Sequence, residues 1–208
     1  MNAGLPVVIV LAAGPGARFS GPGHKLEQTI GDRTVLECTV GVALASGMRT
    51  VVVCREGLAP KVRRWVAARD MVVVPGTADG LGQSIAAGVN ATATAPGWIL
   101  LPGDMPLVRT ATLRALSAQL MHAPVVVAQH RGRRGYPVGF GAELVSELVS
   151  LHGNEGPKRL IARFSAVPVE VNDPGVLFDV DTVEDLEALR QRVSEVDISG
   201  FGELSSPR

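Results

Sequence analysis

The chain has 208 residues, enough for one sizeable α/β core. Twenty Lys and Arg balance twenty Asp and Glu, and without a basic excess a general nucleic-acid grip is not expected. No apolar stretch approaches the ~18 residues of a membrane span and no charged start precedes an apolar h-region, so a cytoplasmic protein is expected, with Cys38 and Cys54 as reduced, buried thiols.

Strand-like and helix-like segments alternate along the chain. The apolar run from Pro6 to Ala13 has the length and β-branched content of a buried strand. It breaks into Gly14-Pro15-Gly16-Ala17-Arg18-Phe19, with Lys25 beyond. A helix is predicted from about Val35 to Ala45, with Thr34 and Glu37 as a capping box and Gly47 as its stop. Strands are predicted at 51–54, 71–74, 98–101 and 124–128. Helices are predicted over Lys61–Arg69, Leu81–Ala91 and Thr110–Met121, the last with Thr110 as its cap.

After Gln129 the glycines crowd, and 132–141 reads as a loop or hairpin. Helices near Ala142–Ser150 and Pro157–Phe164, a strand at 167–171 and a helix from Thr182 to Val193 complete the pattern. Such alternation implies a mostly parallel sheet covered by helices on both faces. The expectation is one domain over 1–196, followed by a mobile polar tail at 197–208.

The glycine loop fails two common phosphate grips. A Walker loop places Lys after its second glycine, but Gly16 and Gly21 are followed by Pro22. The dinucleotide fingerprint needs a third glycine where Phe19 stands. What remains is a loop that offers bare N–H groups, Arg18 and Lys25 to a polyphosphate, or a tight turn carrying surface charges.

Asp104, in Leu101-Pro102-Gly103-Asp104-Met105-Pro106, follows the carboxyl end of a predicted strand, where open α/β sheets place ligands. A carboxylate there can hold Mg²⁺, which takes one or two carboxylates plus phosphate oxygens and water; it can equally cap a turn. In Asp179-Val180-Asp181 an extended backbone points both acids the same way, although acids also favour a helix N-terminus. Gly80-Leu81-Gly82-Gln83-Ser84 allows close approach of a nucleoside or opens a plain helix. Gly135-Tyr136-Pro137-Val138-Gly139-Phe140 reads as the lining of an acceptor pocket or as a β-turn, and Gly153-Asn154-Glu155-Gly156-Pro157-Lys158-Arg159 as a loop that binds an anionic acceptor or as a solvated helix start. No Ser/His/Asp or Cys/His arrangement demands another chemistry, and the four histidines are scattered.

Taken in this order, these motifs make the chain resemble the MobA-like nucleotidyltransferases, over about Val7 to Leu189. Leu-Ala-Ala-Gly-x-Gly-x-Arg-Phe at 11–19, Lys25-Leu26, Gly-Leu-Gly-Gln-Ser at 80–84, Gly-Asp-Met-Pro at 103–106, Gly-Tyr-Pro-Val-Gly-Phe at 135–140 and Asp-Val-Asp-Thr-Val-Glu-Asp-Leu at 179–186 carry the resemblance. It looks closest to the branch containing molybdenum cofactor cytidylyltransferase.

The resemblance implies a three-layer, Rossmann-like, nucleotide-diphospho-sugar transferase-like fold that takes an NTP, CTP in that branch, with Mg²⁺. Leu11, Ala12, Ala13, Gly14 and Gly16 would hold base and phosphates, Arg18 and Lys25 the triphosphate, and Gly82 and Ser84 the nucleoside. Asp104 and Asp181 would hold the metal, with Asp179 beside them. Tyr136, Pro137 and Asn154 would face a molybdopterin-type acceptor, and a molybdoenzyme or its chaperone would be the protein partner. GTP as donor, a sugar-phosphate acceptor and a non-catalytic nucleotide-binding module are the alternatives. The chain departs from the family at Tyr136, where His is common, at 153–158, and at Glu27-Gln28-Thr29.

Overall fold

The computed structural model describes residues 4–75, 80–153 and 156–195. The predicted tail and Asn154 lie outside the described residues. Val7–Ala12 forms β1, buried along its whole length, as a strand covered on both faces must be. A small hairpin, β2 (Thr29–Ile30) and β3 (Arg33–Thr34), leads into α1 (Val35–Ala45). The predicted capping box is present: Glu37 N–H donates to Thr34 Oγ1 at 3.2 Å, and Thr34 N–H donates to Glu37 Oε2 at 3.5 Å. Gly47, with φ +80°, lets the chain turn off this helix.

β4 (Thr50–Arg55) precedes α2 (Ala59–Val62). Here the predicted nine-residue helix shrinks to a single turn. Pro60 opens it, and its apolar anchors Val62 and Val66 are buried through successive turns rather than a continuous helix. β5 (Met71–Val74) is followed by α3 (Leu81–Asn90), β6 (Gly97–Pro102) and α4 (Thr110–Gln119).

The cap of α4 also differs from prediction. Thr110 Oγ1 donates instead to Val42 O at 3.3 Å. The first-turn donors go to buried Asp173, which accepts from Arg109 N–H at 2.8 Å and Thr112 Oγ1 at 2.6 Å. An acid from a remote loop thus supplies what a local hydroxyl usually supplies.

β7 (Val125–His130) and β8 (Arg133–Gly141) form an antiparallel pair. Arg131 and Gly132, at φ +49° and +75°, make the tight hairpin turn. The glycine-rich run is therefore the longest strand of the sheet, and its glycines serve packing. A Cβ on Gly139 would stand 2.7 Å from Val126 Cγ2 and 2.8 Å from Leu120 Cδ1. α5 (Val145–Val149), α6 (Lys158–Arg163), β9 (Val167–Glu170) and α7 (Val183–Glu195) follow.

The seven long strands lie in the order β5-β4-β1-β6-β8-β7-β9, with β8 running against the others. Alternate residues of β1 feed two cores. Val8, Val10 and Ala12 pack with residues of α1, α4 and α7, and Val7, Ile9 and Leu11 pack with residues of α3 and α5. This is the predicted three-layer α/β/α arrangement with a mostly parallel sheet.

Candidate nucleotide and metal site

β1 and β6 are neighbours and parallel, so their carboxyl ends open on one edge of the sheet. The antiparallel sense of β8 brings its first residues to the same edge. Gly103 N–H donates to Leu11 O at 2.9 Å. A side chain at Gly103 would crowd Leu11 O and Leu36 Cδ1, each 3.1 Å from its Cβ position, so glycine there lets Asp104 sit directly beside the end of β1. Val180 N–H donates to Asp104 O at 2.9 Å. That bond docks the segment before α7 onto the same edge, with Val180 buried in the core and Asp179 and Asp181 both turned to the cleft.

The charges converge on Lys25. Its Nζ donates to Asp104 Oδ2 at 2.5 Å and to Asp181 Oδ1 at 2.6 Å, and Arg18 pairs with the other Asp181 oxygen at 2.7 Å. The Lys25 and aspartate side chains are 11–17% exposed. Burial alone would lower the Lys25 pKa, but Asp104 and Asp181 outweigh it and hold the ammonium above its ordinary value. Burial likewise pushes Asp181 up, while Lys25 and Arg18 more than reverse this and hold it below the usual carboxylate range. Asp179 is an exposed residue whose carboxyl turns inward; burial there and the neighbouring Asp181 push it up to about 6.

His24 was not singled out in the sequence. It is buried, and it joins the glycine loop to the Lys25 turn. Its Nε2 lies 3.1 Å from Gly14 O, and its Nδ1 accepts from Leu26 N–H at 3.3 Å. A neutral ring with the proton on Nε2 satisfies both contacts. Burial, with Arg55 next in effect, lowers its pKa. Gly16, at φ +66°, passes so close that a Cβ would stand 3.0 Å from His24 Nε2. The only local signal for His24 is its position next to Lys25.

The cleft around these groups measures about 630 Å³, room for a nucleotide and a second small molecule. Leu11, Ala13, Gly14, Gly16, Arg18, Lys25, Ser84, Asp104, Tyr136 and Asp181 line it. Ala12, Gly82 and Pro137 stand behind that lining. Ala12 is in the core, Gly82 is buried with its N–H donating to Gly153 O at 3.0 Å, and Pro137 is buried next to Tyr136. Burial and the Asp104 charge raise the Tyr136 pKa, keeping its hydroxyl protonated. Arg133 and Arg134, which were not singled out in the sequence, also line the cleft; the signal that could have found them is a pair of cations just before the Gly-Tyr-Pro motif. A separate recess of about 30 Å³ beside Ile30, Cys38 and Leu189 is only water-sized.

The donor set suits a hard divalent cation. Asp104 Oδ1 is buried and has no hydrogen-bond partner, an unmet acceptor of the kind that calls for an explanation. Two carboxylates, Asp104 and Asp181, face one point already compensated by a cation. Among the described residues no group of three or more His, Cys, Asp or Glu could hold a metal ion by itself. No described helix is long and apolar enough to cross a membrane.

A glycine loop after the first strand, a lysine–aspartate cluster at the carboxyl edge and a wide cleft between them define an α/β protein with an open polar cleft at the carboxyl ends of its strands. The chain belongs to the family of MobA-like NTP transferase domains, which matches residues 8–169. It is 33% identical over 138 residues to the bifunctional protein GlmU of Solibacter usitatus, a match covering 64% of this chain but only 29% of that protein. The crystal structure of Rv0371c from Mycobacterium tuberculosis superposes with a TM-score of 0.75 at 31% identity, covering 92% of this chain and 100% of that one. Rv0371c has also been solved in complex with manganese, at 30% identity and a TM-score of 0.71 over 90% of this chain and 98% of that one. A nucleotidyl transferase from Methanothermobacter thermautotroptrophicus matches with a TM-score of 0.75 at 25% identity over 93% of this chain and 99% of that one.

Proposed function

We propose that the protein is a metal-assisted nucleotidyltransferase that moves CMP from CTP onto the phosphate of a molybdopterin-type acceptor. The observation that carries this reading is the convergence of Asp104, Asp181, Lys25 and Arg18 at the mouth of the glycine loop. An acceptor phosphate oxygen attacks the α-phosphorus, a new P–O bond forms, and the bond to pyrophosphate breaks. Such a step needs alignment and charge neutralisation more than a covalent nucleophile.

Asp104 and Asp181 would hold Mg²⁺ or Mn²⁺, which when bound neutralises charge on the α-phosphate. Lys25 and Arg18 leave their carboxylates for the triphosphate and stabilise the pyrophosphate as it departs. Gly14, Gly16 and Ser84 line the cleft; the glycines would offer main-chain N–H groups to the phosphates, and Ser84 would contact the nucleoside. CTP and the molybdopterin-type acceptor rest on the motif resemblance.

The test is a pyrophosphate-release screen of the four NTPs with Mg²⁺ against molybdopterin and several sugar phosphates. Release with CTP and molybdopterin is the expected outcome. Release with GTP or with a sugar phosphate reassigns donor or acceptor, and no release with any pair removes the catalytic reading.

A further inference from the structure

The wall of the cleft opposite the glycine loop carries two cations that the donor chemistry does not use. Arg133 and Arg134 open β8, are exposed, and line the cleft. Among the described residues neither side chain forms an ion pair or a hydrogen bond. Elsewhere in the site the cations are matched to acids: Arg18 to Asp181, and Lys25 to Asp104 and Asp181. Glu170, on β9 across from β7, is already taken by Gln129 Nε2 at 2.9 Å and Arg131 N–H at 2.6 Å.

The backbone under these arginines is well fixed. Register pairs His130 with Arg133 and Gln129 with Arg134 across the hairpin. The next residue, Gly135, lies against the main chain at Val176, whose carbonyl occupies the place of a Cβ. The residue after that, Tyr136, is close enough to Asp104 for its hydroxyl to feel that charge. Arg133 and Arg134 are consecutive strand residues, whose side chains leave the backbone on opposite sides, yet both reach the cleft lining, and the planar fork of donors on each matches a phosphate in two-point contact.

We propose that Arg133 and Arg134 form the acceptor subsite and hold a phosphomonoester of the second substrate beside Asp104. The assignment rests on the nucleotidyl-transfer reading above. It is tested by calorimetric titration of phenyl phosphate into the whole chain saturated with Mg²⁺ and the α,β-methylene analogue of CTP or of GTP. The same titration is made on the Arg133→Gln/Arg134→Gln variant, whose Tm checks that it folds.

Phenyl phosphate is expected to bind the unaltered chain and to bind the variant about tenfold or more weakly. Affinity for the nucleotide analogue is expected to be unchanged. The Arg133→Lys/Arg134→Lys variant, which keeps charge but loses the fork, is expected to fall between the two. Equal binding of phenyl phosphate to chain and variant, no binding to either, or a loss confined to the nucleotide analogue overturns the subsite. Benzoate binding as tightly as phenyl phosphate overturns the phosphate assignment. Failure of both analogues to bind removes the nucleotidyl-transfer reading instead, and titration of phenyl phosphate into the two unliganded proteins then still decides for or against the arginines.

Discussion

The two walls of the cleft are built on different principles. On the donor wall the cations are paired with acids: Lys25 joins Asp104 to Asp181, Arg18 completes Asp181, and His24 ties the glycine loop to the lysine turn. On the acceptor wall the arginines are exposed without such partners among the described residues, and Tyr136 is half-buried. The paired cations hold the two carboxylates in place before a ligand arrives and, on the nucleotidyl-transfer reading, exchange them for phosphate when it binds. An uncompensated pair leaves its pairing to the ligand and so suits recognition of a particular substrate.

The largest effect expected on this contrast comes from Asp104→Ala. Turnover should fall by about 10³-fold, measured by pyrophosphate release, while Lys25 keeps Asp181 and the fold survives by circular dichroism. Full activity in that variant would break the distinction between the walls, because the acid at the centre of the compensated cluster would be dispensable. Next is Gly135→Ala, which forces a methyl group into the Val176 carbonyl. Urea unfolding should show a loss of about 1–3 kcal/mol, and an unchanged midpoint would mean that the acceptor wall is not held by that contact.

A smaller effect concerns His24. Its pKa is lowered in the fold from 6.5, so the unfolded chain takes up the proton first as pH falls. The contribution of the neutral ring is complete above about pH 6.5 and is lost as pH drops through the lowered folded value. Melting temperatures of the wild-type chain should therefore decline between pH 7 and pH 5, and His24→Asn should flatten that decline. Parallel curves would show that the loop does not depend on the neutral ring.

Much of the scaffold was legible because β-branched runs such as Val7–Leu11 and Val51–Cys54 leave few alternatives to a buried strand. The Thr34–Glu37 box was legible because all its bonds are local. β8 was read only as a loop or hairpin because glycine signals a turn and a close contact alike, and only the position of Val126 and Leu120 distinguishes them. The cap of α4 was misread because Asp173 lies more than sixty residues from the donors it serves. Within the site, the motifs pointed to Lys25, Asp104 and Asp181, which the fold brings into one cluster. His24 was missed because a lone histidine carries no periodic signal and one of its partners is a backbone oxygen ten residues away.

The turn at Pro174–Leu177 has a consequence for how this protein can change. A Cβ on Gly175 would collide with Leu107 O, and one on Gly135 with Val176 O. Leu107 closes the loop that begins at Asp104, and Gly135 precedes Tyr136. Three main chains are thus stacked from one side of the cleft to the other with no side chain between them, and they fix its gauge. Residues 133, 134 and 136 can then be rewritten, by drift or by an engineer, while the span to Asp104 stays the same. Substrate preference becomes an interchangeable fitting on a frame of constant width.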